Sequence, residues 1–352
     1  MDFRCLKIGY VPYLPDLSQP GDRRRFPYFA TRNNIPFEIA DKNKSYDIVL
    51  LTSSANLSQW LIYKRKHPKT KFIFEMVDSL IFSVSIFNTL FKGIGWFMLG
   101  KEARLHLSYK NLIIKWLEAA DIVLCASSEL KKIVEHWNRN VIVSSDYLEH
   151  EYNFCKEKFA ISGKMKLVWE GQGAVLPHFL SYKDLLKELS EFCELHIITN
   201  ETYPMYGKII NNNVNKILRK LPIKTIYHKW DLDNNYKVFS QCDCGIIPLN
   251  KNNLFGWHKP ANKLISFWFT GLPTVVSATP AYKELMDIAG EDLYCSSNEE
   301  WIEKIYRLKN MAEENRSFLA KKNLAFVQAN YSDSSLDIVW RNVFTQITSN
   351  RV

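Results

Sequence analysis

Short apolar runs rich in β-branched residues alternate with helical patterns along almost the whole chain. That alternation constrains the fold more than any single residue does, because strands separated by helical segments form parallel sheets covered on both faces. Six runs come first, near 6–10, 37–39, 47–51, 71–76, 121–125 and 141–144, with helical patterns near 22–33, 56–66, 88–119 and 128–137. Six more follow, near 166–169, 195–199, 224–227, 244–248, 273–276 and 293–295. Helical patterns near 177–191, 211–220, 232–241, 260–270, 280–288 and 298–311 fill the gaps, and two more close the chain near 315–330 and 335–348. The pattern predicts an α/β protein with two tandem doubly wound, Rossmann-like domains. Such sheets bind ligands outside the carboxyl ends of their strands, which here would face each other across a cleft.

A chain of 352 residues exceeds what one core usually holds. The boundaries fall at 1–150 for the first domain, 151–164 for a linker within a polar stretch that starts near 145, and 165–333 for the second domain. Residues 334–352 form a last helix that either closes the second domain or crosses back to the first. Seven cysteines make an odd set with no metal-type pairing, and Cys242-Asp243-Cys244 reads as two strand thiols. This points to a reducing, cytoplasmic compartment, and no basic segment followed by an apolar core opens the chain as a secretory signal would.

The net charge is +9, and residues 1–150 carry most of it, with 21 Lys/Arg against 15 Asp/Glu. A basic face suits phosphates, anionic lipid or nucleic acid, but no nucleic-acid-binding module is visible and no nucleic-acid partner is expected. One segment, "LIFSVSIFNTLFKGIGWFML" at 80–99, has the length of a membrane span. Asn88, Thr89, Lys92, Gly93 and Gly95 interrupt it, which leaves a buried helix or lid, or an amphipathic surface meeting an anionic membrane through 80–104. Trp96, Phe97, Lys101 and Arg104 suit the second of these.

The stretch "HKPANKLISFWFTGLP", 258–273, bears most directly on function. On a helix, Lys259, Asn262, Lys263, Ser266 and Thr270 fall on one stripe and Ala261, Leu264, Ile265 and Trp268 on the other. Pro260 fits the first turn. Two lysines and an amide thus meet a helix N-terminus, where free N–H groups and the dipole already favour an anion. A phosphate or diphosphate accounts for the excess of positive charge; a solvated face with snorkelling lysines is the plain alternative.

The order of features around this helix resembles the donor-binding half of GT-B glycosyltransferases, in particular the family 4 (group 1) enzymes. A strand running from Asp243 to Pro248 leads into a loop, then the basic helix, then a strand opened by Gly271, Pro273, Val275 and Val276. The two-sheet layout resembles that fold over nearly the whole chain. One feature departs from it: the E-x7-E pair of that family falls on His258 and Ser266, neither of them a carboxylate, so retention or inversion cannot be carried over.

The resemblance implies a metal-independent hexosyl- or pentosyltransferase with no cofactor. The sugar would pass from a nucleotide-diphosphate donor to a hydroxyl of a glycan, in lipid-linked surface-polysaccharide assembly near the inner face of the membrane. Two alternatives stand beside it: a phosphosugar or glycosyl-diphosphate donor, and a non-catalytic binding protein on the same scaffold. Under the resemblance the donor residues are Gly171, Gln172 and Gly173 in a G-x-G turn after a strand, Thr199 and Asn200 at another strand end, Trp230 as a stacking ring, and His258, Lys259, Asn262, Lys263 and Ser266. The acceptor lies in the first domain, where Arg23, Arg24 and Arg25 open a helix and could grip a phosphate. Asp78, Glu75 and Asp22 are the carboxylates able to serve as general base. Asp231-Leu232-Asp233 spells D-x-D but precedes a helical pattern, where an aspartate caps free N–H groups, so no metal site is expected.

Overall fold

The computed structural model describes residues 3–77, 109–148, 155–205, 210–231 and 234–349. The chain divides into two compact units. The first holds residues 1–149, 254–260 and 331–352, and the second holds 150–253 and 261–330.

The first unit is built on β1 (Ile8–Val11), β2 (Glu38–Ile39), β3 (Ile48–Leu51), β4 (Lys71–Met76), β5 (Ile122–Cys125) and β6 (Val141–Val143). They form one sheet in the order β2-β1-β3-β4-β5-β6, parallel throughout. Strand residues alternate between the two faces, and both faces are covered. Val49, Leu51, Phe72, Phe74 and Val123 pack with Trp60 and Trp116 on one side. Ile48, Leu50, Ile73, Ile122 and Leu124 pack with Phe26, Phe29, Trp340 and Phe344 on the other. This is why runs such as Ile48-Val49-Leu50-Leu51 are apolar at every position rather than every second one.

Trp340 and Phe344 come from the last helix, Asp333–Ser349, so the chain returns to its first unit to complete that core. Trp340 stacks on Phe29 at 5.7 Å, and Phe344 on Phe26 at 5.8 Å. Polar contacts fix the helix in place: Tyr147 donates to Asp337 at 2.8 Å, Tyr28 donates to Asp333 at 3.0 Å, and Arg32 pairs with Asp333. The sequence periodicity of this helix leaves open which unit it closes.

The second unit holds β7 (Met165–Glu170), β8 (Cys193–Thr199), β9 (Thr202–Met205), β10 (Ile210–Asn213), β11 (Thr225–Lys229), β12 (Cys244–Ile247), β13 (Thr274–Ser277) and β14 (Tyr294–Cys295). All but β9 and β10 join one parallel sheet in the order β11-β8-β7-β12-β13-β14. The chain runs outward from β7 through β8 to β11, then returns to β12 on the other side of β7. The carboxyl ends of β7 and β12 therefore flank the point where the strand order reverses, the preferred ligand position in such sheets.

Two local expectations are corrected. The helical pattern near 211–220 belongs instead to the β9–β10 hairpin, followed by only a short helix at Asn215–Leu218. Asparagines compete with helical hydrogen bonding through their own side chains, and Asn213 Oδ1 accepts from the Asn215 N–H. The pattern near 177–191 divides into a 3-10 stretch, Gly173–Tyr182, which contains Pro177, and a helix at Lys183–Leu189. The stretch expected as a linker is anchored to the second unit. The Lys156 N–H donates to the Thr270 carbonyl at 2.8 Å, and its ammonium donates to the Cys242 carbonyl at 2.6 Å.

Candidate functional site

The expected basic helix is Asn262–Phe269, two residues shorter at its start than the periodicity predicts. Ala261 is its N-cap and offers no side-chain cap, and Pro260 lies outside it. Asn262 and Lys263 are thus the first two helical residues, at the positive end of the helix dipole. Leu264, Ile265 and Trp268 are buried, as their stripe requires. The opposite stripe is polar only in its first turns, since Thr270 is fully buried and donates to the Phe267 carbonyl.

Lys263 projects from this first turn onto the end of β7. Its ammonium donates to the Glu170 carbonyl at 2.5 Å, stands 3.6 Å from Glu170 Oε2, and lies 5.2 Å from the centre of the Trp169 ring. Gly171 makes this approach possible. A Cβ there would lie 2.5 Å from the Trp169 ring and 2.9 Å from Lys263 Nζ, so only glycine fits. The Gly171 N–H donates to the Ile198 carbonyl at 3.1 Å, which ties the turn to β8. Gln172 is exposed, and Gly171 and Gly173 are buried.

The neighbouring strand ends complete the constellation. The Trp230 backbone N–H donates to the Thr199 carbonyl at 2.9 Å, and its indole Nε1 donates to Glu170 Oε1 at 3.1 Å. Thr199 is fully buried, and its Oγ1 has no hydrogen-bond partner. Asn200 is exposed just beyond it. The structure therefore brings Gly171, Gln172, Gly173, Thr199, Asn200, Trp230, Asn262 and Lys263 to one end of the second sheet. Ser266 lies one turn further along the helix and donates its hydroxyl back to the Asn262 carbonyl.

Glu170 and Trp169 belong to this site but escape sequence reading. Strand alternation places Lys166, Val168 and Glu170 on one face of β7, and Glu170 pairs in register with Ile198. The available signal is the carboxylate directly before the G-x-G turn, which the glycines overshadow. The same face carries His196 on β8 and His228 on β11. Their Nδ1 and Nε2 lie 2.9 Å apart, and Glu194 stands 3.5 Å from the first. Burial pulls both imidazoles below their ordinary value, with Glu194 opposing it at His196.

The remaining candidates are grouped with the first unit. His258 and Lys259 belong to the segment grouped with the first unit, where His258 Nδ1 is 2.9 Å from Glu129 Oε1 and Lys259 is exposed. Asp22, Glu75 and Arg25, expected at a substrate, have no exposed surface. Asp22 accepts from Tyr10 Oη at 2.8 Å and from the N–H groups of Tyr13 and Leu14. Arg25 donates through Nε to Glu75 at 3.2 Å and through Nη1 to Asp146 and the Ser144 carbonyl. Burial pushes the Glu75 carboxyl up, while Arg25 beside it pulls the other way. Asp22 lies on the short helix Pro20–Arg23 and Glu75 on β4, and their inward direction is not visible in the sequence pattern. Arg23 and Arg24 are half-buried. Asp78, Leu232, Asp233 and the segment 80–104 lie outside the described residues, while Asp231 Oδ1 accepts from the Asn234 N–H ahead of helix Asn235–Gln241. Among the described residues no helix is long and apolar enough to cross a membrane.

No family model matches the chain, and no curated protein matches it in sequence. Solved structures do match it in shape. HepE from Anabaena, determined in complex with UDP, superposes with a TM-score of 0.65 at 10% identity, covering 96% of this chain and 99% of that one. The chain has the GT-B fold. Sucrose-phosphate synthase from Thermosynechococcus elongatus, another GT-B structure, gives a TM-score of 0.59 at 11% identity over 87% of this chain and 74% of that one. TarM from S. aureus, in a complex that includes UDP, gives 0.55 at 10% identity. The match covers 84% of this chain but only 55% of TarM, so the chain spans about half of that longer GT-B protein.

Proposed function

We propose that this chain is a metal-independent glycosyltransferase that takes a nucleoside-diphosphate sugar and passes the sugar to a hydroxyl of a glycan acceptor. One observation carries the reading. Lys263, on the first turn of Asn262–Phe269, reaches the G-x-G turn at the reversal point of the second sheet, with the Trp230 indole tied to the same strand end. A diphosphate there would meet the lysine, backbone N–H groups and the positive end of a helix dipole. All three stabilise the charge that develops as the diphosphate leaves. Trp230 supplies a flat ring for a nucleobase. HepE structures hold UDP and UDP-glucose, which supports the same ligand class here.

The acceptor is assigned to the first unit, with the half-buried Arg23 and Arg24 as its phosphate contacts and Asp78 as candidate base. A lipid-linked glycan near the inner face of a membrane fits the positive excess of residues 1–150. The absence of carboxylates at His258 and Ser266 keeps a second reading beside the nucleotide donor: a phosphosugar or glycosyl-diphosphate donor.

A thermal-shift panel of nucleoside diphosphates, nucleotide sugars and phosphosugars separates the two readings, because a ligand of the native state raises the melting temperature. With the donor so identified, Lys263→Ala should lower turnover by about tenfold to a hundredfold, the worth of a charge-assisted contact, with melting unchanged in the absence of ligand. Unaltered turnover in that variant overturns the assignment.

A further inference from the structure

A carboxylate at a diphosphate seat opposes the ligand. Yet Glu170 stands at the end of β7, with Oε2 3.6 Å from the Lys263 ammonium and its own carbonyl accepting from that lysine. Its other oxygen, Oε1, accepts from Trp230 Nε1 at 3.1 Å. One side chain therefore joins the two groups to which the donor reading gives different parts of the ligand, the base and the diphosphate. Neither side chain of the ion pair is deeply buried, with 23% of Glu170 and 39% of Lys263 exposed. The pair is therefore weak enough for a competing anion to open.

We infer that Glu170 is a specificity-determining residue: it is the resident counter-anion of Lys263, held in place by Trp230, and an incoming phosphate must displace it from the lysine. The inference rests on the donor reading above and deepens it. An isolated phosphate gains Lys263 only by ending the ion pair and by approaching a carboxylate that stays where it is. A nucleoside diphosphate carries less charge than pyrophosphate, because its α-phosphate is esterified, so it meets less repulsion, and it adds a base against Trp230. Glu170 thus works against pyrophosphate more than against the donor. Trp230 also keeps the arrangement reversible. When Lys263 turns to the ligand, Glu170 keeps its indole partner and is not left as a partly buried anion without a donor.

The test is calorimetric titration of the full chain with pyrophosphate, with uridine and with UDP, GDP and ADP, in wild type, Glu170→Gln and Glu170→Ala. Glutamine keeps an oxygen for Trp230 Nε1 and removes the charge. Glu170→Gln should bind pyrophosphate about two- to fivefold tighter at low salt, the range of exposed ion pairs. The gain should shrink as salt is added and be smaller in a Lys263→Met background, where no ion pair is broken and only the repulsion remains. The ratio of nucleoside-diphosphate to pyrophosphate affinity should fall in step. Where uridine is the base that binds, Glu170→Gln should leave its affinity unchanged and Glu170→Ala should weaken it. Unchanged or weaker pyrophosphate binding in Glu170→Gln, in protein that melts as wild type does and still binds a nucleoside diphosphate, overturns the inference and leaves the donor reading standing. If no nucleoside diphosphate binds wild type, the donor reading itself falls.

Discussion

Removing the Glu75 carboxylate separates a catalytic from a structural role for the most suggestive charge cluster of the first unit. Glu75 and Arg25 both have side chains with no exposed surface, 3.2 Å apart. Glu75→Ala leaves the guanidinium buried, with Asp146 at 2.8 Å and the Ser144 carbonyl at 3.0 Å as remaining partners. Loss of one member of a buried pair costs about 3–5 kcal/mol, and the two surviving contacts put this case near the lower end. For a unit of this size a loss of about 3 kcal/mol lowers Tm by about 6–12 °C. Glu75→Gln keeps an acceptor for Arg25 Nε and should cost less than Glu75→Ala does. Scanning calorimetry with two fitted transitions is the assay, because two units need not unfold together. The transition that moves should be the one that added nucleotide does not stabilise. Glu75→Ala protein with unshifted melting and no turnover would refute the buried-pair argument and return Glu75 to the chemistry.

Two further outcomes follow from the second unit. The folded-state pKa values of His196 and His228 are depressed below the ordinary 6.5 by burial, so the unfolded chain binds protons more readily. The stability this confers is complete above the ordinary value of 6.5 and lost as pH falls below it; urea midpoints on either side of that value should show the slope, and His228→Gln should reduce it. Gly171→Ala sets a methyl 2.5 Å from the Trp169 ring, which is itself buried and packed edge-on against Phe179. It should cost about 1–3 kcal/mol as overpacking does and weaken nucleotide binding, with urea denaturation and titration calorimetry as the checks.

Much of this architecture is legible in the chain. The strands of both six-stranded sheets lie where short apolar runs announce them, because a parallel sheet covered on both faces needs apolar side chains at successive positions. The Lys263 helix is legible too, since its buried stripe and its terminating Gly271-Leu272-Pro273 are local signals. The β9–β10 hairpin is not, because its pairing is a contact between segments with no strong period of their own. Glu75, Asp22 and Arg25 mislead for a related reason. A carboxylate at a strand end reads the same whether it faces a ligand or an arginine far away in sequence.

The sequence by itself determined the class of sheet, the strands of the two six-stranded sheets and the buried stripe of the Lys263 helix, because those depend on periodicity and on residues within a turn of one another. Tertiary structure decided which charges meet. It put Trp340 and Phe344 back into the first core, sealed Arg25 against Glu75, and set Glu170 between Trp230 and Lys263. Those pairings join elements far apart along the chain. Their energies depend on distance and burial, which no local pattern encodes.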